Sequence, residues 1–133
     1  MRALTFPYTR LGGFLLPIVP VTILSRTLAF RTDAYVDSGA FYSIFRAEIL
    51  DSLQLRKDQG QVKMLRAADG KLIRSHLFRL PLQIGTVKLR ALVAFSDQLN
   101  VGFNLLGRHT VFSSFDEVAF NERARNVVFR LAD

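Results

Sequence analysis

Three consecutive residues, Asp37-Ser38-Gly39, put a carboxylate, a hydroxyl and a residue without a side chain at the end of an apolar run. Hydrolytic chemistry that uses water directly needs those parts. A carboxylate held rigidly near a water acts as general base, while a second carboxylate beside it acts as acid toward the carbonyl under attack. Two such groups about 3 Å apart cannot both ionise readily, so they share one proton. A hydroxyl next to the acid can hydrogen-bond neighbouring backbone and fix the loop. Glycine then lets backbone and ligand approach closely, because it has no Cβ. The same tripeptide also occurs as an ordinary turn, and its setting has to separate the two readings.

Other chemistries find less in the chain. His76 and His109 are isolated, with no Asp, Glu or His at metal-ligand spacing, so no metal site is expected. A Ser-His-Asp triad is possible on inventory, but no Gly-x-Ser-x-Gly elbow is present. Gly12-Gly13 lacks the Gly-rich strand-to-helix pattern of a phosphate cradle and reads as a flexible turn. Cys is absent, which excludes disulfides, thiol catalysis, Cys-ligated zinc and iron–sulfur clusters.

The elements that would position Asp37 read as β-structure. Leu28, Phe30, Thr32, Ala34 and Val36 alternate with Arg31, Asp33 and Tyr35, a half-buried strand running straight into Asp37. Pro20 to Leu24 reads as a strand before it, with Pro17 and Pro20 marking an edge or opening strand. Phe45, Ile49 and Leu53 share one face at four-residue spacing, which predicts a short helix over 45–53. Gln61 to Arg66 and Leu72 to Phe78 flank Ala67-Ala68-Asp69-Gly70, a hairpin signal. A second hairpin is expected where Leu80 to Ile84 and Val87 to Phe95 flank Gly85-Thr86. After a loop over 96–103, Asn104 to Gly107 is a brief apolar piece and Arg108 to Phe115 suits one or two helical turns. Glu117 to Phe120 and Asn126 to Leu131 complete the strands. Many short strands with two short helices predict an all-β fold, a small closed barrel.

With 133 residues, half of them apolar and twelve of them Phe, the chain is expected to form one domain over 1–133, with 1–12 as a possible extension. The formal charge of +7 comes from scattered Lys and Arg with no basic run, which favours a mildly basic solvated surface over a nucleic-acid partner. Residues 13–24 carry two prolines and are too short for a membrane-spanning helix. No membrane association is expected, and a cytoplasmic location fits.

Taken in order, Val36-Asp37-Ser38-Gly39-Ala40, then Ala67-Ala68-Asp69-Gly70-Lys71, then Leu105-Leu106-Gly107-Arg108 resemble the retropepsin-like aspartic proteases, the single-lobed relatives of pepsin. The stretch Phe115 to Glu122 is similar to microbial members of that group. The resemblance runs from about residue 15 to the end. It implies a closed β-barrel of the acid protease type and an aspartic endopeptidase without a cofactor. Asp37 would be the catalytic aspartate, Ser38 the hydroxyl bracing two active-site loops, and Gly39 a substrate-backbone contact. Ala40 would also meet substrate, and Ala68, Asp69 and Gly70 would form a flap tip over a bound peptide. Gly107 would pack beneath the loop and Arg108 would anchor it by ion pairing. Viral members usually carry an acid two residues beyond the glycine as the partner of that arginine. Phe41 stands there, so Arg108 is expected to find another partner.

None of Asp33, Asp51, Asp58, Asp69, Asp97, Asp116 or Asp133 is followed by Ser-Gly or Thr-Gly. One chain therefore supplies half of an acid dyad, and a homodimer is expected, with Asp37 facing its symmetry mate across a two-fold axis. The strand over 126–131 is expected to offer an edge for pairing with another chain. A non-catalytic dimerisation or peptide-binding module on the same fold is the alternative that the residues leave open.

Overall fold

Alternation between apolar and polar residues becomes strand after strand along the chain. The computed structural model describes residues 2–67 and 69–132. Its strands are β1 (Ala3–Pro7), β2 (Thr9–Leu11), β3 (Phe14–Leu16), β4 (Ile18–Ser25), β5 (Leu28–Val36), β6 (Ser43–Arg46), β7 (Gln61–Arg66), β8 (Leu72–Ile84), β9 (Val87–Ser96), β10 (Asn104–Leu106), β11 (Glu117–Asn121) and β12 (Asn126–Arg130). One α-helical turn, α1 (Ile49–Ser52), interrupts them, together with 3-10 turns at Lys57–Gln59 and Phe112–Ser114.

Strands β4, β5, β10, β6, β9 and β8 are hydrogen-bonded in that order, and β8 pairs back to β4 through Thr22↔Gln83 and Ile23↔Leu82. The sheet therefore closes into a small six-stranded barrel, as the strand pattern predicts, and closure removes its free edges. Proline falls where this ladder has gaps. Pro20 in β4 and Pro81 in β8 lie outside the two β4–β8 pairs, so their missing N–H groups cost that contact nothing. A late strand, β10, lies parallel to β5 and antiparallel to β6, separating two early ones.

Val19, Val21 and Ile23 from β4, Leu82 and Ile84 from β8, Val93 and Phe95 from β9 and Leu106 from β10 fill the interior with no more than 1% of their surface exposed. Each such side chain contributes about 1.5–3 kcal/mol on burial. β8 changes the face it buries along its length. Ile73 and Ser75 are buried from odd positions, while Phe78, Leu80, Leu82 and Ile84 are buried from even ones. The first part covers a small separate cluster of Leu65, Ile73 and Ala94 with Tyr42, Ile44 and Leu77 around it. The second part belongs to the barrel core.

Both expected hairpins form. β7 and β8 pair from Gln61↔Leu77 to Arg66↔Leu72, and β8 and β9 turn over Gly85-Thr86 with Ile84↔Val87 as the last pair. The 45–53 helix shrinks to α1. Ser43–Arg46 instead pairs with β9, and Ile44 with β10, so a non-local ladder overrides the local periodicity. Phe45, Ile49 and Leu53 are all buried regardless, because the bend after Arg46 turns them to the same core. The expected helical stretch over 108–115 is likewise only a 3-10 turn at Phe112–Ser114.

At the N-terminus, Gly12 (φ +59°) and Gly13 (φ +84°) are the tight turn of the β2–β3 hairpin, where both central residues need left-handed backbone. β1 is no loose extension but pairs along β12, and β12 pairs with β11 on its other side. The strand near the C-terminus thus has both edges occupied within its own chain, and the free edge expected there belongs to β1 and β11 instead. Phe129, wholly buried, packs edge-on against Phe6 of β1 and joins this three-stranded sheet to Phe115. No helix among the described residues is long and apolar enough to cross a membrane.

Candidate functional site

Asp37 is the first residue beyond β5, and the strand is gripped from two directions just before it. The Val36 N–H donates to the Pro17 carbonyl at 2.8 Å, and the Asp37 N–H donates to the Leu106 carbonyl at 3.0 Å. The chain then reverses over Ser38 and Gly39, and the Ala40 N–H donates back to the Asp37 carbonyl at 3.2 Å. The Gly39 N–H donates to Asp37 Oδ1 at 2.8 Å, which fixes the orientation of the carboxylate. A Cβ on Gly39 would lie 3.2 Å from that same oxygen, tighter than an ordinary contact. Asp37 is half-buried and Ser38 and Gly39 are exposed, so the acid is both held and reachable.

The loop is fastened to the chain following β10. The Arg108 N–H donates to the Ala40 carbonyl at 2.9 Å and the His109 N–H to the Phe41 carbonyl at 2.7 Å. Between them, the Gly107 N–H donates to the Ser43 hydroxyl at 2.9 Å, a bond wholly inside the protein. A Cβ at Gly107 would sit 2.5 Å from the Tyr42 carbonyl oxygen and 2.9 Å from that of Ala40, so the two segments cross at backbone contact. Ser43→Ala strands the buried Gly107 N–H without its acceptor and is expected to cost about 1–3 kcal/mol. Thermal denaturation checks this, and a midpoint within a degree of wild type would refute it.

The ion pair expected of Arg108 is replaced by a ring contact. Its guanidinium carbon lies 5.9 Å from the centroid of the Phe41 ring. His109 also stacks on Phe41 at 4.9 Å and 13°, with Tyr42 edge-on to Phe41 at 5.0 Å. A cation over an exposed aromatic face contributes about 0.5–1 kcal/mol. The arginine thus keeps its place at the loop with a ring where an acid was the expected partner.

On its other side Asp37 lines a cleft of about 280 Å³ shared with Ser38, Tyr8 and Glu122 and walled by Leu15, Leu16 and Phe120. Tyr8 reaches this cleft from the end of β1. Its N–H donates to the Arg125 carbonyl at 2.9 Å and its hydroxyl donates to Glu122 Oε2. Burial, then the hydrogen bond to Glu122 and that residue's charge, push the Tyr8 hydroxyl up to about 12 from the ordinary 10.0, with Arg125 opposing. A raised folded-state value means that the tie is fully present below about pH 10 and is lost as pH rises through about 12. The thermal midpoint of the wild type is therefore expected to fall more steeply across that interval than that of Tyr8→Phe. Parallel curves would show that the tie contributes nothing.

The expected flap residues form a separate feature. Within the β7–β8 turn the Ala67 N–H donates to the Lys71 carbonyl at 2.8 Å, and Asp69 Oδ1 accepts from the Lys71 N–H at 2.9 Å. Gly70, at φ +88°, offers its carbonyl to Arg66 Nη1 at 2.6 Å. Asp69 and Gly70 are exposed, and Ala68 lies outside the described residues. Neither Asp69 nor Gly70 lines the cleft at Asp37. The hairpin and the loop meet through the cluster in which Leu65 and Ile73 pack with Tyr42 and Ile44. The structure therefore brings Asp37, Ser38, Gly39 and Ala40 together in one loop and leaves Asp69 and Gly70 at a hairpin tip coupled to it by packing.

Sequence reasoning missed Tyr8 and Glu122 as site residues. They are 114 positions apart, and no short-range spacing signals their contact. No group of three or more His, Asp or Glu residues converges as a metal site among the described residues. No family model and no curated protein matches the chain.

Proposed function

We propose that the protein is an aspartic endopeptidase of the retropepsin-like kind, active as a homodimer in which each subunit gives one Asp37 to a shared acid–base pair. The observation that supports this most is the mounting of Asp37. It follows a barrel strand held by Pro17 and Leu106 carbonyls, its carboxylate is oriented by the Gly39 N–H, and its loop is tied to residues 107–109. Such rigidity suits a group that must place a water against a carbonyl. One carboxylate accepts the water's proton as it attacks, and the other protonates the carbonyl oxygen. The first then gives its proton to the amide nitrogen as the C–N bond breaks, and the diol hydroxyl returns a proton to the second, which releases amine and acid and restores the pair. In this reading Ser38 stays next to the dyad, Gly39 and Ala40 meet substrate backbone, and Asp69 and Gly70 belong to a hairpin over an extended peptide. The lack of Cys fits a cytoplasmic setting.

In this reading the dimer meets through the face that carries the Asp37 loop, since the two acids have to approach each other there. Phe41, 49% exposed and four residues beyond Asp37 in the chain, gives that face an apolar contact. Wild type co-refolded with an equal amount of Asp37→Asn tests the shared site. Only dimers with two intact acids would cut, so activity per total protein is expected to fall to about a quarter. A fall to one half, as simple dilution gives, would show that each chain works alone.

A further inference from the structure

The cleft beside Asp37 is at odds with the charge of the chain that forms it. The formal net charge is +7, yet the cleft's charged side chains are Asp37 and Glu122, and no Lys or Arg lines it. Its walls are mixed, with Leu15, Leu16, Pro17 and Phe120 beside Tyr8, Tyr35 and Ser38. Tyr35, stacked on Phe103 at 4.8 Å, is a fixed part of the same wall. Tyr8 donates to Glu122 Oε2 and thereby aims the carboxylate while leaving Oε1 for a ligand. Arg125 acts on Tyr8 from outside the lining and is exposed, so solvent and salt screen it.

A cleft that sets two carboxylates among leucine, proline and aromatic side chains suits a methylene stem carrying a cationic head. We infer that this cleft is the specificity pocket of the protein and takes a Lys or Arg side chain of the peptide next to the bond that is cut. Ser38 and Asp37 form part of its lining, so a peptide lying across the catalytic loop has a neighbouring side chain within reach of it. Glu122 is then a specificity-determining residue and Tyr8 its positioning residue. The inference rests on the reading of Asp37 as the catalytic group.

The test uses two hexapeptides in which a hydroxyethylene unit replaces the scissile amide, identical except for Lys or norleucine just before it. Norleucine keeps the methylene stem and lacks the amine. Calorimetric titration of the wild type at low salt is expected to give a dissociation constant roughly threefold lower for the Lys peptide, the effect of one exposed charge pair. Glu122→Gln keeps an acceptor for the Tyr8 hydroxyl and removes the charge, and it is expected to bring the ratio close to one. Equal binding of both peptides by the wild type, binding of neither, or a ratio that survives Glu122→Gln would overturn the inference. Cleavage of casein by the wild type, followed separately, reports on the protease reading. Casein cleaved without any Lys preference sinks the pocket alone, and a Lys preference without casein cleavage sinks the protease reading alone.

Discussion

Asp37→Asn is expected to lower peptide cleavage by at least about a thousandfold and to leave the fold in place. In the reading proposed above, the activity falls because both duties of the pair disappear together. An amide neither accepts the water's proton nor returns one to the carbonyl, and general acid–base assistance alone is worth roughly 10²–10⁴ in rate. The fold survives because the asparagine side-chain oxygen can still accept from the Gly39 N–H, now at 2.8 Å from Asp37 Oδ1. Asp37 is also only half-buried, so the added amide protons reach water. Unfolded casein incubated across pH 4 to 7 gives the readout, with a thermal melt to confirm that the variant is folded. Equal cleavage by both proteins would remove the catalytic role of Asp37.

The parts of this site that the sequence announces are those made locally. β5 was legible end to end, Leu28 to Val36, because its alternation stops at a carboxylate followed by turn residues. The Gly85-Thr86 hairpin was legible for the same reason, since two residues suffice to close it. Misreadings fall where a distant partner decides. Phe45 has helical spacing with Ile49 and Leu53, but the β9 ladder sits alongside Ser43 to Arg46 and takes its backbone hydrogen bonds. No local pattern announces that β10 enters between β5 and β6. Asn104 marks that entry in retrospect, its amide donating to the Asp33 carbonyl and its carbonyl accepting from the Arg46 N–H.

The same distinction separates the two halves of the site. Asp37, Ser38 and Gly39 are neighbours in the chain, so their juxtaposition is visible as text. Tyr8 and Glu122 come together because β1 and β11 both lie along β12, a pairing that buries Val127 and Phe129. Arg108 is an intermediate case. Its nearness to residue 41 follows from the tie between the loop and β10, but a ring under its guanidinium replaces an opposite charge. A motif can thus fix where a residue sits without fixing what it touches.

Gly107→Ala is expected to be the most damaging change of a single methyl group near the site. The new Cβ would lie 2.5 Å from the carbonyl oxygen of Tyr42, 2.6 Å from its carbon and 2.9 Å from the Ala40 oxygen. All three are backbone atoms, so no side chain can rotate away, and the crossing segments have to separate. Separation stretches the Gly107 bond to Ser43 and the Arg108 bond to Ala40, which hold the loop carrying Asp37. The cost is expected to reach about 3 kcal/mol or more, above the usual range for one added methyl. For a chain of this size the thermal midpoint then drops by about 10 °C or more. Activity should fall with it even well below that midpoint, since an ångström of misplacement at Asp37 is enough to spoil attack. Gly102→Ala is the control, because nothing lies within 4 Å of a Cβ there, and it is expected to shift stability by no more than about 0.5 kcal/mol. Equal melting of the two variants would mean that the loop and the chain after β10 do not cross at backbone contact.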